Sequence, residues 1–235
     1  MLTAEELEVL RLSLRVAFWG VAASLPVAIA VAHVLARTEF RGKTLFDAIV
    51  HLPLVLPPVV VGYVLLLLFG RRGPIGAFLE DWFGIVVAFR WTGAALAAGI
   101  MGFPLMVRAI RLSFESVDRR LEAAASTLGA GAIGVFLTVT LPLALPGIVT
   151  GVLLSFARSL GEFGATITFV SNIPGETRTL PLAIYTYVQT PSGDAAAVRM
   201  SIIAVLLSLA ALFVSEMLVR RAARRARGQD AGDRR

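Results

Sequence analysis

The chain has 235 residues, 57% of them hydrophobic and 16% charged, against about 45–50% and about 25% in a soluble domain. Its net charge of +6 sits in short clusters at the ends of apolar runs, a distribution that argues against a nucleic-acid partner. The absence of cysteine excludes disulfides and thiolate metal sites.

The N-terminus is acidic (Glu5, Glu6, Glu8), unlike the basic start of a signal peptide, so the first apolar segment is expected to be retained. No charge occurs over residues 16–36, and a membrane span needs roughly 20 apolar residues. A first span is expected at 11–36. A loop with Arg37, Arg41 and Lys43 follows. Its Gly42-Lys43-Thr44 is not a phosphate loop, because position 37 holds Arg where that motif needs Gly.

The second charge-free run predicts a span at 49–70. Pro53, Pro57 and Pro58 break or kink helix. With Gly62 they mark either a hinge, a close crossing with a partner subunit, or ordinary local packing. His51 reads as a satisfied polar group, and with only His33 as companion no metal cluster is available.

A third span is expected at 85–107, with Arg90 at its edge. The stretch 123–157 is charge-free but too long for one span. Its start belongs to a loop, 108–132, and a fourth span covers 135–157. A fifth covers 198–219, tolerating Glu216. The tail 220–235 holds seven arginines. Between the fourth and fifth spans, 158–197 carries two apolar runs too short to cross alone. They are expected near the membrane surface, leaving a sixth helix open.

Lys and Arg collect on the cytoplasmic side. That rule puts the tail, the loop after the first span and the 108–132 loop inside, and the N-terminus and the 158–197 segment outside. One membrane domain, 1–235, accounts for the whole chain.

Within the 108–132 loop, Asp118 is placed to cap a helix and Glu122 lies in its first turn, where acidic groups suit the dipole. Ala123, Ala124 and Ala125 favour helix, and Gly129 can take the left-handed conformation that ends one. A short helix over 119–128 is predicted. Its small-residue face permits close approach, either by a docking partner or by the chain's own spans.

Anchored on Gly129, the residues Ala124, Ala125, Gly129, Val139, Leu141 and Pro142 resemble the cytoplasmic loop motif of ABC-importer permeases. That motif reads Glu-Ala-Ala, three residues, Gly, nine residues, Ile-x-Leu-Pro. Two positions depart: Ala123 stands where the motif has Glu, with Glu122 one residue early, and Val139 replaces Ile. The resemblance implies a coupling helix seated on an ATPase subunit, with Glu122, Ala124, Ala125, Gly129, Leu141 and Pro142 as coupling residues.

The stretches HLPLVLPPVVVGY (51–63), MGFPLMVRAIR (101–111) and FARSLGEFGATITFVSNIPGETRTLP (156–181) resemble the molybdate (ModB-type) permease subunits of that class. The core Gly161–Gly164 is shared with sulfate permeases. The resemblance implies an all-α integral membrane protein of the type I ABC-importer permease fold, with about five spans and a cytoplasmic coupling helix. It implies a subunit that moves molybdate, and also tungstate, across a bacterial cytoplasmic membrane. It further implies a homodimer in lipid, two cytoplasmic ATPase subunits, an extracytoplasmic binding protein, and no enzymatic site, cofactor, metal or nucleic acid of its own. The alternatives are a sulfate or thiosulfate permease, and a passive channel or membrane anchor.

A dianion cannot enter lipid bare, so its path must supply hydrogen-bond donors. Arg158, Ser159, Glu162, Thr166 and Thr168 are the candidate oxyanion pathway or outer gate. Arg158 and Glu162, four apart, can instead pair on one helix face, and Arg158 can anchor at the membrane interface.

Overall fold

The computed structural model describes residues 3–232, with the side chains of 212, 215, 216 and 218–232 outside that description. The arginine tail at 220–235 therefore lies outside the described side chains. Among the described residues every regular element is a helix.

Helix α1 (Ala4–Arg37) opens on a capping box, in which the Thr3 side chain accepts from the Glu6 N–H and the Glu6 carboxylate accepts from the Thr3 N–H. The run expected as a span at 49–70 is built as two helices, α2 (Lys43–Val55) and α3 (Pro58–Phe69), bent by 112°. The cause is Pro57-Pro58: neither residue has an N–H to continue the ladder of α2, and Pro58 is suited to the first turn of a new helix. Helix α4 (Pro74–Phe83) follows, ending at Gly84 with φ 65°. The stretch 84–90 is loop, so the next long helix, α5, starts at Trp91 and ends at Ser116.

Short helices α6 (Arg119–Thr127) and α7 (Ala132–Val135) lead into a π-helical turn at Phe136–Thr140 and then α8 (Leu141–Leu160). Pro142 cannot donate to the carbonyl four residues back, and the Leu141 N–H reaches five back to Phe136 instead. Helices α9 (Gly164–Val170) and α10 (Leu180–Gln189) occupy the expected intermediate segment, and α11 (Asp194–Gly232) closes the chain. Four helices are long and apolar enough to cross a membrane, or five if the bent α2–α3 pair is one span.

The centre of the bundle is α5, whose most apolar stretch is 67% buried, against 28%, 22% and 11% for those of the other three long helices. Helices α1 and α8 pack along it through small residues. A Cβ at Gly20 would lie 2.7 Å from the Ala95 carbonyl oxygen, and one at Gly151 would lie 2.9 Å from that of Met106. Gly102 faces Ser155 and Gly147 faces Ser113 in equally close contact. Small residues let membrane helices approach until backbones touch. Helix α9 is buried against α3 and α5 through Ala165, Phe169 and Val170.

The bundle has two distinct ends. At one, α1 begins and the segment after α8 folds over it. At the other lie the end of α1, the end of α5 and helix α6.

Substituting Gly151 with Leu should lower stability by about 1–3 kcal/mol, the ordinary penalty of overpacking, because the obstacle is backbone. Thermal unfolding in detergent would read it as a lowered midpoint.

Candidate functional site

Helix α6 forms where the sequence places it. The Asp118 carboxylate accepts from the Arg120 N–H at 2.9 Å. Gly129 follows with φ +93°, and a Cβ there would meet nothing within 4 Å. Its requirement for glycine is thus conformational and not steric. No residue of α6 is buried. Ala123 and Ala124 are exposed and Ala125 is half-buried. Two apolar side chains stand out on this surface: Leu121 is 50% exposed and Leu128, just past the helix, 89%. Alanine spacing alone did not single these two out.

Glu122 behaves differently from its neighbours. Its Oε1 accepts from Arg37 Nη2 at 2.8 Å and from Thr140 Oγ1 at 2.6 Å. The carboxylate therefore faces the body of the protein. Arg37 and Thr140 lie 85 and 18 residues away in sequence, and neither was a sequence candidate. Of the remaining coupling candidates, Leu141 and Pro142 begin α8 directly after the π-helical turn.

The second candidate group lies at the opposite end, where α8 gives way to α9. Arg158 Nη1 is 2.7 Å from Glu162 Oε2, and Glu162 is almost wholly buried. The other carboxylate oxygen, Oε1, accepts from the Ala165 N–H at 2.8 Å, at the start of α9. Ser159 donates to the Ala98 carbonyl at 3.1 Å, which joins α8 to α5. Thr166 is buried, and Thr168 returns its hydroxyl to the Gly164 carbonyl at 2.9 Å. All five residues cluster, and four of them have partners inside the chain. Arg158 alone combines charge with partial exposure, its side chain being 29% accessible.

The stretch that follows carries a hydrogen-bonded network not visible from spacing. Arg178 bonds Asn172 Oδ1 at 3.1 Å and Glu5 at 2.9 Å, and Asn172 donates to Thr186 at 2.7 Å. Ser171, a non-glycine, sits at φ 64°. Thr177 bridges this turn, donating to the Ser171 carbonyl at 3.2 Å and accepting from the Ile173 N–H at 2.9 Å. The 171–179 segment is thereby tied to α1 and α10.

Gly62 resolves into local packing: a Cβ there would lie 2.5 Å from the Ala165 carbonyl oxygen of α9, within the same chain. His51 sits against Asp47, with Nδ1 2.9 Å from its carbonyl oxygen and 3.2 Å from its carboxylate. His33 stacks edge-on to Phe114 and Phe136 at 5.5 and 4.9 Å. Among the described residues no three His, Cys, Asp or Glu side chains gather as a metal site.

Residues 9–225 match the family model described as the inner membrane component of binding-protein-dependent transport systems. The chain is 60% identical over 220 residues, 94% of it and 96% of the relative, to the molybdenum transport system permease protein ModB of Escherichia coli strain K12. Among solved structures it resembles a bacterial alginate ABC transporter in complex with a pentasaccharide-bound periplasmic protein, at TM-score 0.73 and 16% identity over 93% of this chain and 80% of that one. It also resembles the MetNI methionine ABC transporter in an inward-facing conformation, at TM-score 0.66 and 17% identity over 92% and 94%. The helical architecture is that of the type I ABC-importer permeases.

Removing the Glu162 carboxylate tests what that cluster does. Glu162→Ala strips the acceptor from the buried Ala165 N–H and should cost about 1–3 kcal/mol, read as a lower unfolding midpoint in detergent. An unchanged midpoint would show that the carboxylate is not a structural clamp.

Proposed function

The chain belongs to the family of inner membrane components of binding-protein-dependent transport systems, and we propose that it is the membrane-spanning subunit of an ATP-driven importer of molybdate. The observation that carries the cargo is the 60% identity, over nearly the full length of both chains, to a molybdenum permease. The observation that carries the energy source is α6, a capped surface helix with nothing buried, one exposed leucine in its first turn and another just past its end. An exposed apolar patch rimmed by polar groups marks a protein contact. ATP hydrolysis belongs to a separate subunit seated there.

The Lys and Arg of the α6 end (Arg37, Arg41, Lys43, Arg108, Arg111, Arg119 and Arg120) favour the cytoplasmic side. The N-terminus then lies outside, and the segment between α8 and α11 faces the binding protein. The solved alginate transporter was captured with such a periplasmic protein. Exposed apolar faces on α2, α3 and α11 suit both lipid and a second copy, and the importer is a homodimer in this reading. Arg158 is the candidate group at the outer gate that can still meet an oxyanion, with Glu162 paired to it and Ser159, Thr166 and Thr168 as the neighbouring candidates.

Uptake into proteoliposomes holding this chain, its ATPase and its binding protein tests the reading. Molybdate entry should require ATP, be blocked by tungstate and be indifferent to sulfate. Competition by sulfate would move the cargo to sulfate or thiosulfate, and uptake without ATP would make the chain a passive channel. In the same assay Gly129→Val should abolish ATP-driven uptake while insertion and dimerisation persist. A side chain in the left-handed conformation costs about 1–2 kcal/mol, which would misplace the end of α6. Normal uptake in that variant would remove α6 as the coupling element.

A further inference from the structure

Helix α6 has no apolar anchor. Among the described residues its main packing neighbours are the single turn of α7 and the π-helical turn before α8. The Glu122 carboxylate ties it to the long helices through one oxygen. Glu122 Oε1 takes the Arg37 guanidinium from the last turn of α1 and the Thr140 hydroxyl from the last position of the π-helical turn. The same guanidinium donates to the Val117 carbonyl at 3.3 Å, holding the chain where it enters α6. The group is shielded: the Arg37 and Glu122 side chains are 11% and 20% accessible, and Thr140 is 2% exposed.

We propose that Arg37, Glu122 and Thr140 form a latch through which movement of α6 is passed into the spans α1 and α8. Glu122 is then a positioning residue inside the chain and not a contact to the ATPase. The contact surface belongs to the face of α6 that bears exposed residues. The latch meets α8 at a place suited to transmission. A π-helical turn is a local fault in an otherwise continuous helix, and such turns are frequent at functional sites. A pull on Thr140 acts where the ladder is already loosened. The latch rests on the reading of α6 as the coupling element.

The chain contains no cysteine, so a pair introduced at exposed positions, Ser126 on α6 and Val27 on α1, can carry spin labels. The assembled transporter in proteoliposomes would be measured without nucleotide and with ATP trapped. In the otherwise unaltered chain the intrachain distance should stay narrow in both states, because α6 and α1 move together. In Arg37→Gln and in Glu122→Gln it should broaden, and oxyanion moved per ATP should fall at least about fivefold, the low end of a coupling effect. The ATPase should still co-purify with Arg37→Gln. The exchanged pair, Arg37→Glu with Glu122→Arg, should recover part of both signals.

Loss of ATPase co-purification in Glu122→Gln alone, with Arg37→Gln unaffected, would assign Glu122 to the partner surface and overturn the latch. Unchanged label distances with unchanged transport per ATP would overturn it equally. An unaltered complex that hydrolyses ATP but moves no molybdate would overturn the cargo and leave the label distances to decide the latch.

Discussion

Backbone contact between α5 and its two neighbours is the constraint on which the rest of the structure depends. Lipid is as apolar as leucine, so membrane helices gain little by burying leucine against leucine. They associate through close packing, and close packing needs small residues at the crossing. Gly20 on α1 meets Ala95 and Gly99, while Gly147, Gly151 and Ser155 on α8 meet Ser113, Met106 and Gly102. These contacts run along most of α5 on both sides. They fix the register of three helices, and that register brings residues far apart in sequence to the same end of the bundle.

The two ends are tied in unequal ways. At the start of α1, Glu6 takes Arg199 of α11 at 2.9 Å, Glu5 takes Arg178, and Ser13 accepts the Leu180 N–H at 2.7 Å. Glu176 also faces the Trp91 N–H at the head of α5, at 3.4 Å. Many bonds spread over several elements make that end one unit. At the other end Arg111 of α5 pairs with Asp47 of α2 at 3.1 Å, while α6 is joined to α1 through the shielded Glu122 carboxylate and the Arg37 bond to Val117.

Much of this was legible in sequence, for physical reasons that can be named. The long apolar runs locate helices α1, α5, α8 and α11 because composition alone decides what can sit in lipid. Asp118 and Gly129 delimit α6 because caps act within a turn of the helix they close. Pro57-Pro58 flags a break, but its angle of 112° depends on packing against α9, which no local pattern encodes. The partners of Glu162 and Arg178 were out of reach for the same reason: apart from Arg158, each lies across a turn or on another helix. Arg158 and Glu162 were legible as a pair at helical spacing. That the carboxylate also closes α9 was not.

Glu122 shows how a single position separates the two levels of reading. By the loop motif the carboxylate belongs at position 123, where this chain has Ala123. One residue of α-helix turns a side chain by about 100° around the axis. Ala123 is exposed, while Glu122 is half-buried and points to Arg37 and Thr140. An offset that looks like an imperfect match in sequence therefore moves the charge from the open face of α6 to the face against the spans. A carboxylate on the open face would leave Arg37 with only the Val117 carbonyl of its two acceptors at the end of α1. Placed where it is, it leaves the open face to Ala123, Ala124 and Leu128, and it ties α6 to the end of α1 and the turn that leads into α8.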